Sequence, residues 1–333
     1  MTPSFVHKLS GYVHSEAPPE GASLLASVNG ALEALGAEQP ERRPPDGKGR
    51  PGGVLQLDPG IPTILVPDIH GRKGLALRVL GYDALPGMQT MQALARGRIQ
   101  VLCLGDGMHA EARAAARWRA AFEEFRGGYR RHENMDEEMR ESLGVMGIIM
   151  EAKRAFPSHF HFLKGNHENI ANEQGDGNFP FRKFAMEGLM VVSYMRQFYG
   201  EEVLAAMARF EKELPLLAVG RGFLVSHAEP RAFFPRERVI GYRGDAEVVA
   251  GLTWTDNGEA EPSSVDAMLE HYLGEASRGA YYFAGHRPVE GTFGLRAGGR
   301  FVQIHNPGRM TIACLPAEGD IDLERDIRVI GED

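Results

Sequence analysis

The stretch LKGNHEN, residues 163–169, delivers three polar side chains at the end of an apolar run. Residues His159–Lys164 are predicted to form a strand, and a glycine follows them as a turn residue. Asn166, His167 and Glu168 therefore lie where the chain leaves a sheet. Taken alone this signal is weak, because a histidine after a strand is more often a hydrogen-bonded structural residue than a metal ligand.

Four other short stretches have the same organisation, with Asp or His at the end of a strand candidate. They are VPDIHG with Asp68 and His70, LGDG with Asp106, VSHAEP with His227, and AGHRP with His286. Strand ends of an α/β sheet converge on one edge, where ligand crevices form. We therefore expect the five stretches to build one pocket.

The residue types in this set indicate divalent metal ions. Carboxylate, imidazole and amide oxygen together suit Mn, Fe or Zn rather than a thiolate zinc site. Two ions need a carboxylate that both can bind, and Asp106 is the natural candidate. A pair of ions roughly 3.5–4 Å apart can clamp a phosphate and activate a water molecule between them. The sequence therefore predicts a centre that holds two divalent ions.

Short apolar runs alternate with helical patterns along the chain, which predicts an α/β fold with a mixed sheet. Helices are expected at residues 23–35, 142–155 and 200–213. The strand candidates are Thr63–Pro67, Ile99–Leu104, His159–Lys164, Gly222–Ser226 and Ala280–Ala284. Two later runs, Arg300–His305 and Met310–Leu315, are predicted to form a hairpin around NPGR.

Two segments differ from this pattern. Residues 38–53, EQPERRPPDGKGRPGG, are rich in Pro, Gly and charge, which predicts an exposed linker or loop. We therefore divide the chain into an N-terminal extension, 1–53, and a main domain, 54–333. Residues 111–140 are Ala-rich, strongly charged and helical in pattern, which indicates a helical insertion on the surface. Because long insertions near sites are often functional, a lid or a protein partner at 111–140 is the alternative.

The composition is that of an ordinary globular protein. The 333 residues are 43% apolar and 25% charged, and the net charge is −8. We expect neither nucleic-acid binding nor attraction to an anionic membrane. The N-terminus lacks a secretory pattern, and no segment approaches the roughly 20 apolar residues of a membrane span. Cys103 and Cys314 are predicted to be buried free thiols, which favours a reducing, cytoplasmic location.

The ordered motifs closely resemble those of the calcineurin-like metallophosphoesterases, and more specifically the phosphoprotein (serine/threonine) phosphatase branch. That family has G-D-x-H-G, G-D-x-x-D-R-G, G-N-H-E, a His after a strand and a late His. This chain has P-D-I-H-G at 67–71, G-D at 105–106, G-N-H-E at 165–168, His227 and His286. GLTWTDN, at 251–257, also resembles the family's L-x-W-S-D-P. The resemblance covers residues 60–315.

This resemblance implies a fold, a set of ligands and a reaction. The fold would be a mixed β-sheet sandwich flanked by helices, the αββα architecture. His167 would protonate the leaving-group oxygen or orient the site. The reaction would be hydrolysis of a phosphate ester by a water activated between two metal ions. The implied ligands are Asp68 and His70 for the first ion, Asp106 for both, and Asn166, His227 and His286 for the second.

The chain departs from the family pattern directly after Asp106. His109, Ala110 and Glu111 stand where the family has an Asp that pairs with the catalytic His, a phosphate-binding Arg and a Gly. His109 or Glu111 is therefore expected to support His167 instead.

Other residues near the motifs complete the predicted site. Glu168 and Asp256 are expected to lie next to the ligands or to His167. A guanidinium binds phosphate through two parallel hydrogen bonds, so arginines that follow the motifs are candidates for gripping the substrate. These arginines are Arg72, Arg231, Arg287 and Arg309.

Three functions are compatible with these features. The first is a phosphatase acting on a phosphoprotein or a small phosphomonoester. The second is a hydrolase of nucleotide-type pyrophosphates or phosphodiesters, and the third is a non-catalytic, metal-binding interaction protein. The intact His167 and ligand set favour an enzyme, because they would have no clear use in an inert scaffold.

Overall fold

Alternate residues of the central strands face two different cores, which shows that both faces of each sheet are covered. Leu65 and Leu102 point into one apolar cluster, whereas their neighbours Ile64, Val66 and Val101 point into another. Strands buried on both faces read as continuous apolar runs, and this is the pattern that the sequence shows. The computed structural model describes residues 3–332.

Two mixed sheets pack against each other, and helices cover their outer faces. The cluster between the sheets takes residues from strands of both. The predicted α/β sandwich of mixed sheets flanked by helices is therefore confirmed. The strands are β1 Val54–Gln56, β2 Thr63–Val66, β3 Gln100–Cys103, β4 Phe160–Phe162, β5 Leu217–Gly220, β6 Phe223–Ser226, β7 Tyr281–Ala284, β8 Gly294–Arg296, β9 Phe301–Gln303, β10 Arg309–Leu315 and β11 Ile327–Glu332.

The helices divide between the two outer faces. The first eight cover the five-stranded sheet, and the next three cover the six-stranded sheet. The helices are α1 Pro3–His14, α2 Gly21–Gly36, α3 Lys73–Gly81, α4 Thr90–Ala95, α5 Ala115–Arg126, α6 Glu133–Ala155, α7 Glu187–Phe198, α8 Gly200–Glu213, α9 Arg236–Ile240, α10 Ala246–Thr253, α11 Ser264–Leu273 and α12 Leu323–Asp326. No helix within residues 3–332 is long and apolar enough to cross a membrane.

Each sheet contains three adjacent parallel strands. The five-stranded sheet has the order β11-β10-β2-β3-β4, in which β2, β3 and β4 are parallel. The six-stranded sheet has the order β1-β5-β6-β7-β9-β8, in which β6, β7 and β9 are parallel. The carboxyl ends of such strands share one edge, so each sheet presents three consecutive strand ends.

The predicted hairpin around NPGR is wrong. Strand β9 pairs with β7 and β8, whereas β10 pairs with β2 and β11, so NPGR passes from one sheet to the other. The NPGR sequence does form a turn. A turn sequence does not determine which strands pair, and both flanking runs are apolar enough to fit either sheet.

The N-terminal residues pack on the main domain. Leu24 and Val28 of α2 lie in the same buried cluster as Met146 of α6 and Met207 of α8. The helix expected at residues 23–35 is confirmed as part of α2. The division of the chain at residue 53 therefore does not separate two cores.

The predicted exposed loop at 38–53 is irregular, but it is not exposed throughout. The Arg43 side chain is fully buried, and Nη1 of Arg43 lies 2.7 Å from the Glu38 carboxylate. Lys153 of α6 donates to the same carboxylate at 2.6 Å. Buried charges are tolerated when they are paired and hydrogen-bonded, so this cluster fixes the loop against α6.

Residues 111–140 form helices that pack on the main core. Trp118 of α5 is fully buried, and α6 continues without a break from Glu133 to Ala155. Arg117 joins the two helices through Glu138 and Glu141. The helical pattern of the segment is observed, but a purely surface position is not, because Met135 and Met139 of α6 are fully buried in the main core; a role in binding a partner stays a prediction.

Replacing Glu38 by Gln should destabilise the protein strongly, since it leaves Arg43 and Lys153 buried without a counter-charge. We expect the free energy of unfolding to fall by about 3 kcal/mol at pH 7, measured by urea denaturation. The exposed Glu123, paired with Arg126, is the control, and Glu123→Gln should cost less than about 1 kcal/mol.

The effect should also depend on pH. Burial opposes ionisation of Glu38, but Lys153, His161 and Arg43 outweigh it and hold its pKa well below the usual range. The contribution is therefore present above the unfolded pKa of roughly 4.3 and is lost as the pH falls below it. Equal acid sensitivity of wild type and Glu38→Gln would contradict this account.

Candidate metal centre

The carboxyl ends of the parallel strands from both sheets meet and supply the polar residues of one site. Three stretches follow β2, β3 and β4, and three residues follow or nearly follow β6, β7 and β9. Ligand crevices form at such edges because the chain turns away there and leaves polar groups facing a gap. The residues brought together are Asp68, His70, Asp106, Asn166, His167, His227, His286 and His305.

Three residues of the site have a left-handed backbone conformation. The φ angles are +45° at His70, +50° at Asp106 and +61° at His286. Such conformations cost about 1–3 kcal/mol for non-glycine residues and cluster at functional sites. The backbone carbonyl of Asp106 accepts hydrogen bonds from the amides of Ile69 and His70, which holds two of the turns together.

Glycines in the motifs allow the strand ends to approach closely. A Cβ on Gly285 would overlap the carboxylate of Asp68, and a Cβ on Gly165 would overlap that of Asp106. The residue before His286 and the residue before Asn166 must therefore lack a side chain. This is the physical reason for glycine at those motif positions.

Glu168 fixes the turn that carries Asp106. Its carboxylate accepts hydrogen bonds from the amides of Asp106 at 2.8 Å, Gly107 at 2.9 Å and Gly165 at 2.7 Å. Burial and the neighbouring Asp106 raise the pKa of Glu168 to about 7, although these amides favour its ionised form. Glu168 therefore holds the turn that carries Asp106 against the turn at Gly165.

Asp106 is shared between groups of potential ligands. Its Oδ2 lies 3.5 Å from Nε2 of His70 and 3.4 Å from Nε2 of His227. Three sets of side chains each place their ligand atoms within 4.8 Å of one another. These sets are Asp68, His70 and His305; His70, Asp106 and His167; and Asp106, His227 and His286.

Two observations show that the donor set fits a pair of divalent ions. Oδ1 of Asp68 and Nε2 of His286 are buried and have no hydrogen-bond partner within the described residues. Buried polar atoms are normally paired, so orphaned ligand atoms in one cluster are what bound cations would satisfy. In addition, Oδ1 of Asn166 lies 2.8 Å from Nε2 of His227, which puts the amide oxygen in the same cluster. The buried His/Asp clusters are consistent with a dinuclear metal site.

His305 is a potential ligand that the sequence reasoning missed. It follows β9, its imidazole lies beside that of His70 with 5.7 Å between ring centroids, and its side chain is almost fully buried. The signal was present, because the run Arg300–His305 ended on a histidine like the other motifs. His305 was not recognised because the predicted hairpin paired that strand with Met310–Leu315.

Burial and the neighbouring charges have opposite effects on the pKa values of several residues in the site. Burial would lower the pKa of His227, but Asp106 and Asp68 outweigh it and raise it to about 9. Burial would raise the pKa of Asp106, but His227 and His167 hold it well below the usual range. Burial lowers the pKa of His167 and of His286 to about 3, so both imidazoles are neutral at pH 7.

His109 and Glu111 lie on different sides of the site. The His109 ring lies 4.6 Å from that of His167, but Nδ1 of His167 and Nε2 of His109 are both buried without a hydrogen-bond partner in the described chain. The Glu111 carboxylate bonds to Arg72 at 2.8 Å and to Nε2 of His305 at 3.0 Å. Glu111 therefore contacts the His305 side of the site and not His167.

The arginines predicted to grip phosphate have other contacts. Arg72 is buried and bonds to Glu111, and Arg231 pairs with Glu259 outside the cavity above the ligands. Arg287 does line this cavity, of about 430 Å³, but it forms an ion pair with Asp256. Asp256 thus contacts a residue of the rim, not a ligand. Arg309 begins β10 and is exposed, and it does not line the cavity either.

The structure has the fold of a known phosphatase. A serine/threonine phosphatase from Saccharomyces cerevisiae, described as similar to human phosphatase PP5, matches with a TM-score of 0.58 and 15% identity. The match covers 99% of this chain and 95% of that chain. The chain therefore has the αββα metallophosphoesterase fold that the motifs implied.

Other comparisons are more distant. A putative diadenosine tetraphosphatase matches with a TM-score of 0.43 and 14% identity, over 85% of this chain and 99% of that one. A cold-active protein tyrosine phosphatase from Shewanella sp. matches with a TM-score of 0.42 and 11% identity, over 84% of this chain and 82% of that one. The sequence matches no family model and no curated protein.

Metal binding should release a proton between pH 7 and pH 9. A ligand imidazole must be neutral, whereas His227 with a pKa of about 9 is protonated at pH 7 in the metal-free protein. The apparent affinity for Mn²⁺ should therefore rise by up to about tenfold per pH unit across this range. Isothermal titration calorimetry in buffers of different ionisation enthalpy measures both the affinity and the proton count.

The variant His227→Asn should bind more weakly and lose this pH dependence. The surface histidine His132, which pairs with Asp136, provides the control, and His132→Gln should keep the wild-type slope. A wild-type affinity that does not change between pH 7 and pH 9 would contradict the proton release expected from His227.

Proposed function

We propose that this chain is a metal-dependent phosphatase that hydrolyses phosphomonoesters of a phosphoprotein or a small molecule. The observation that carries the proposal is the position of Asp106, whose carboxylate is shared by ligand groups from both sheets at the base of a cavity that His167 also lines. Two divalent ions bound there would neutralise charge on the phosphoryl oxygens and lower the pKa of a water molecule.

The chain's own contribution is to fix these groups before the substrate arrives. The amide of His167 donates a hydrogen bond to Oδ1 of Asp106 at 2.8 Å, which fixes the backbone of His167 relative to the shared carboxylate. The ring of Phe181 stacks on that of His167, with centroids 4.1 Å apart and planes within 4°. The imidazole is therefore held in one orientation at the wall of the cavity.

His167 is placed to assist departure of the leaving group. In hydrolysis a water oxygen bonds to phosphorus, the ester P–O bond breaks, and the leaving oxygen takes up a proton. A neutral imidazole with its proton on Nε2, the atom 3.9 Å from Asp106, would hydrogen-bond to that oxygen and stabilise its developing negative charge, while the proton that the oxygen takes up is the one lost by the attacking water. The lowered pKa of His167 keeps it neutral beside cations.

The assay uses protein loaded with Mn²⁺ and a panel of substrates. We expect hydrolysis of p-nitrophenyl phosphate and of phosphopeptides, with slower turnover of bis-p-nitrophenyl phosphate and dinucleotide polyphosphates. Removing the metal with a chelator should abolish the activity. Metal-loaded wild type that hydrolyses none of these compounds would favour the non-catalytic alternative.

Two substitutions separate chemistry from metal binding. His167→Ala should lower kcat by roughly 10²–10⁴-fold while the metal content, measured by elemental analysis, stays at the wild-type value. Asp106→Asn should lose both activity and metal, because it removes the shared charge. Undiminished kcat in either variant would exclude the mechanism given above.

A further inference from the structure

Two cations lie at the rim of the cavity. Arg182 and Lys183 line the same cavity as His167 and Asp106, and both side chains are exposed. Neither forms an ion pair with an acidic side chain anywhere in residues 3–332. Apart from the contact of the Lys183 ammonium with the Phe184 ring, 5.7 Å from its centroid, this positive charge is available to an anionic ligand.

The backbone that carries these cations is anchored at both ends. Before them, Nδ2 of Asn169 donates to the carbonyl of Phe179 at 3.2 Å. After them, the fully buried Glu187 accepts hydrogen bonds from the amides of Lys183 and Phe184. The segment 179–184 is therefore attached to the fold on either side of the two charges.

The segment is also attached to the reaction site itself. Phe181, directly before Arg182, packs its ring flat against His167, and its other neighbours include Trp254 with centroids 6.2 Å apart. Arg182 and Lys183 line the same cavity as His167. Both cations are thus held within reach of an anion that contacts His167.

We propose that Arg182 and Lys183 bind the phosphoryl oxygens of the substrate and select phosphomonoester dianions over phosphodiester monoanions. This inference rests on the proposed function and specifies its substrate class. The guanidinium of Arg182 supplies a bidentate grip, and the Lys183 ammonium supplies a point charge. They take the place of the arginines Arg72, Arg231 and Arg287, whose charges are engaged by carboxylates.

The selectivity follows from charge. A phosphomonoester has a second pKa near 6 and carries close to two negative charges above neutral pH, whereas a diester carries one. Each additional cation at the cavity therefore stabilises the bound monoester more than the diester. Removing both cations should remove much of that difference.

The experiment compares kcat/KM for p-nitrophenyl phosphate and bis-p-nitrophenyl phosphate in Mn²⁺-loaded protein. We expect Arg182→Gln and Lys183→Gln each to lower the monoester value on the order of tenfold, mainly through KM. The double variant should lower the monoester-to-diester ratio by about tenfold or more. Arg182→Lys should lose less than Arg182→Gln, because it keeps the charge and loses only the bidentate geometry.

A matched control removes the same charge elsewhere. Arg96 and Arg98 are exposed and lie just before β3, at the opposite end of that strand from Asp106. The double variant Arg96→Gln, Arg98→Gln should keep the wild-type ratio. Metal content and thermal unfolding of all variants should match the wild type, since the altered side chains are at the surface.

Direct binding of inorganic phosphate separates this inference from the proposed function. Calorimetric titration of Mn²⁺-loaded protein with phosphate should show weaker binding in the Arg182→Gln, Lys183→Gln variant, whether or not the wild type turns over any ester. An active wild type whose double variant keeps both the ratio and the phosphate affinity would overturn the inference alone. A wild type that binds phosphate through these residues without hydrolysing any substrate would overturn the proposed function alone.

Discussion

The shared carboxylate of Asp106 is the interaction on which the rest of the site depends. Its Oδ1 accepts the amide of His167, and its Oδ2 lies within 4 Å of Nε2 of His70, His167 and His227. The same residue has a left-handed backbone and holds the neighbouring turn through its carbonyl. Potential metal ligands from both sheets therefore converge around a single anion, which a strained and hydrogen-bonded turn holds between them.

The fold supplies the constraint that makes this convergence possible. Three parallel strands in each sheet end at a common edge, and the cluster between the sheets fixes those edges against each other. Burial on both faces fixes the register of each strand, since a shift of one residue would exchange the two cores. Placing Asp68, Asp106 and several imidazoles close together is unfavourable in free energy, and the surrounding packed structure offsets this.

The sequence predicted what depends on neighbours along the chain. Strand ends, the turn glycines and the residues that follow them, such as Asp106 and His167, were found because each motif is local. The partners of β9 and β10 were not predicted. Each strand pairs with a strand that is distant in sequence, and such pairing leaves no signal in either apolar run. His305 was missed for that reason.

The proposed phosphate-binding residues could not be predicted from the sequence for a different reason. Arginines near the motifs were chosen by proximity in sequence, but Arg72 and Arg287 had acidic neighbours that only the folded chain brings close. Arg182 lies fifteen positions beyond His167 in an irregular segment with no motif. Its place at the site is set by the folded chain, in which Phe181 stacks on His167 and Arg182 lines the cavity.

Burial at Ala110 explains why a cation cannot be supplied from the turn after Asp106. Ala110 is fully buried, its amide donates to Glu138, and its carbonyl accepts from the indole of Trp118. A longer, charged side chain there would enter the packed contact between α5 and the site, and overpacking of this kind is destabilising. This is consistent with the inference that the positive charge comes from another wall of the cavity, where the segment 179–184 carries Arg182 and Lys183 and also contacts His167.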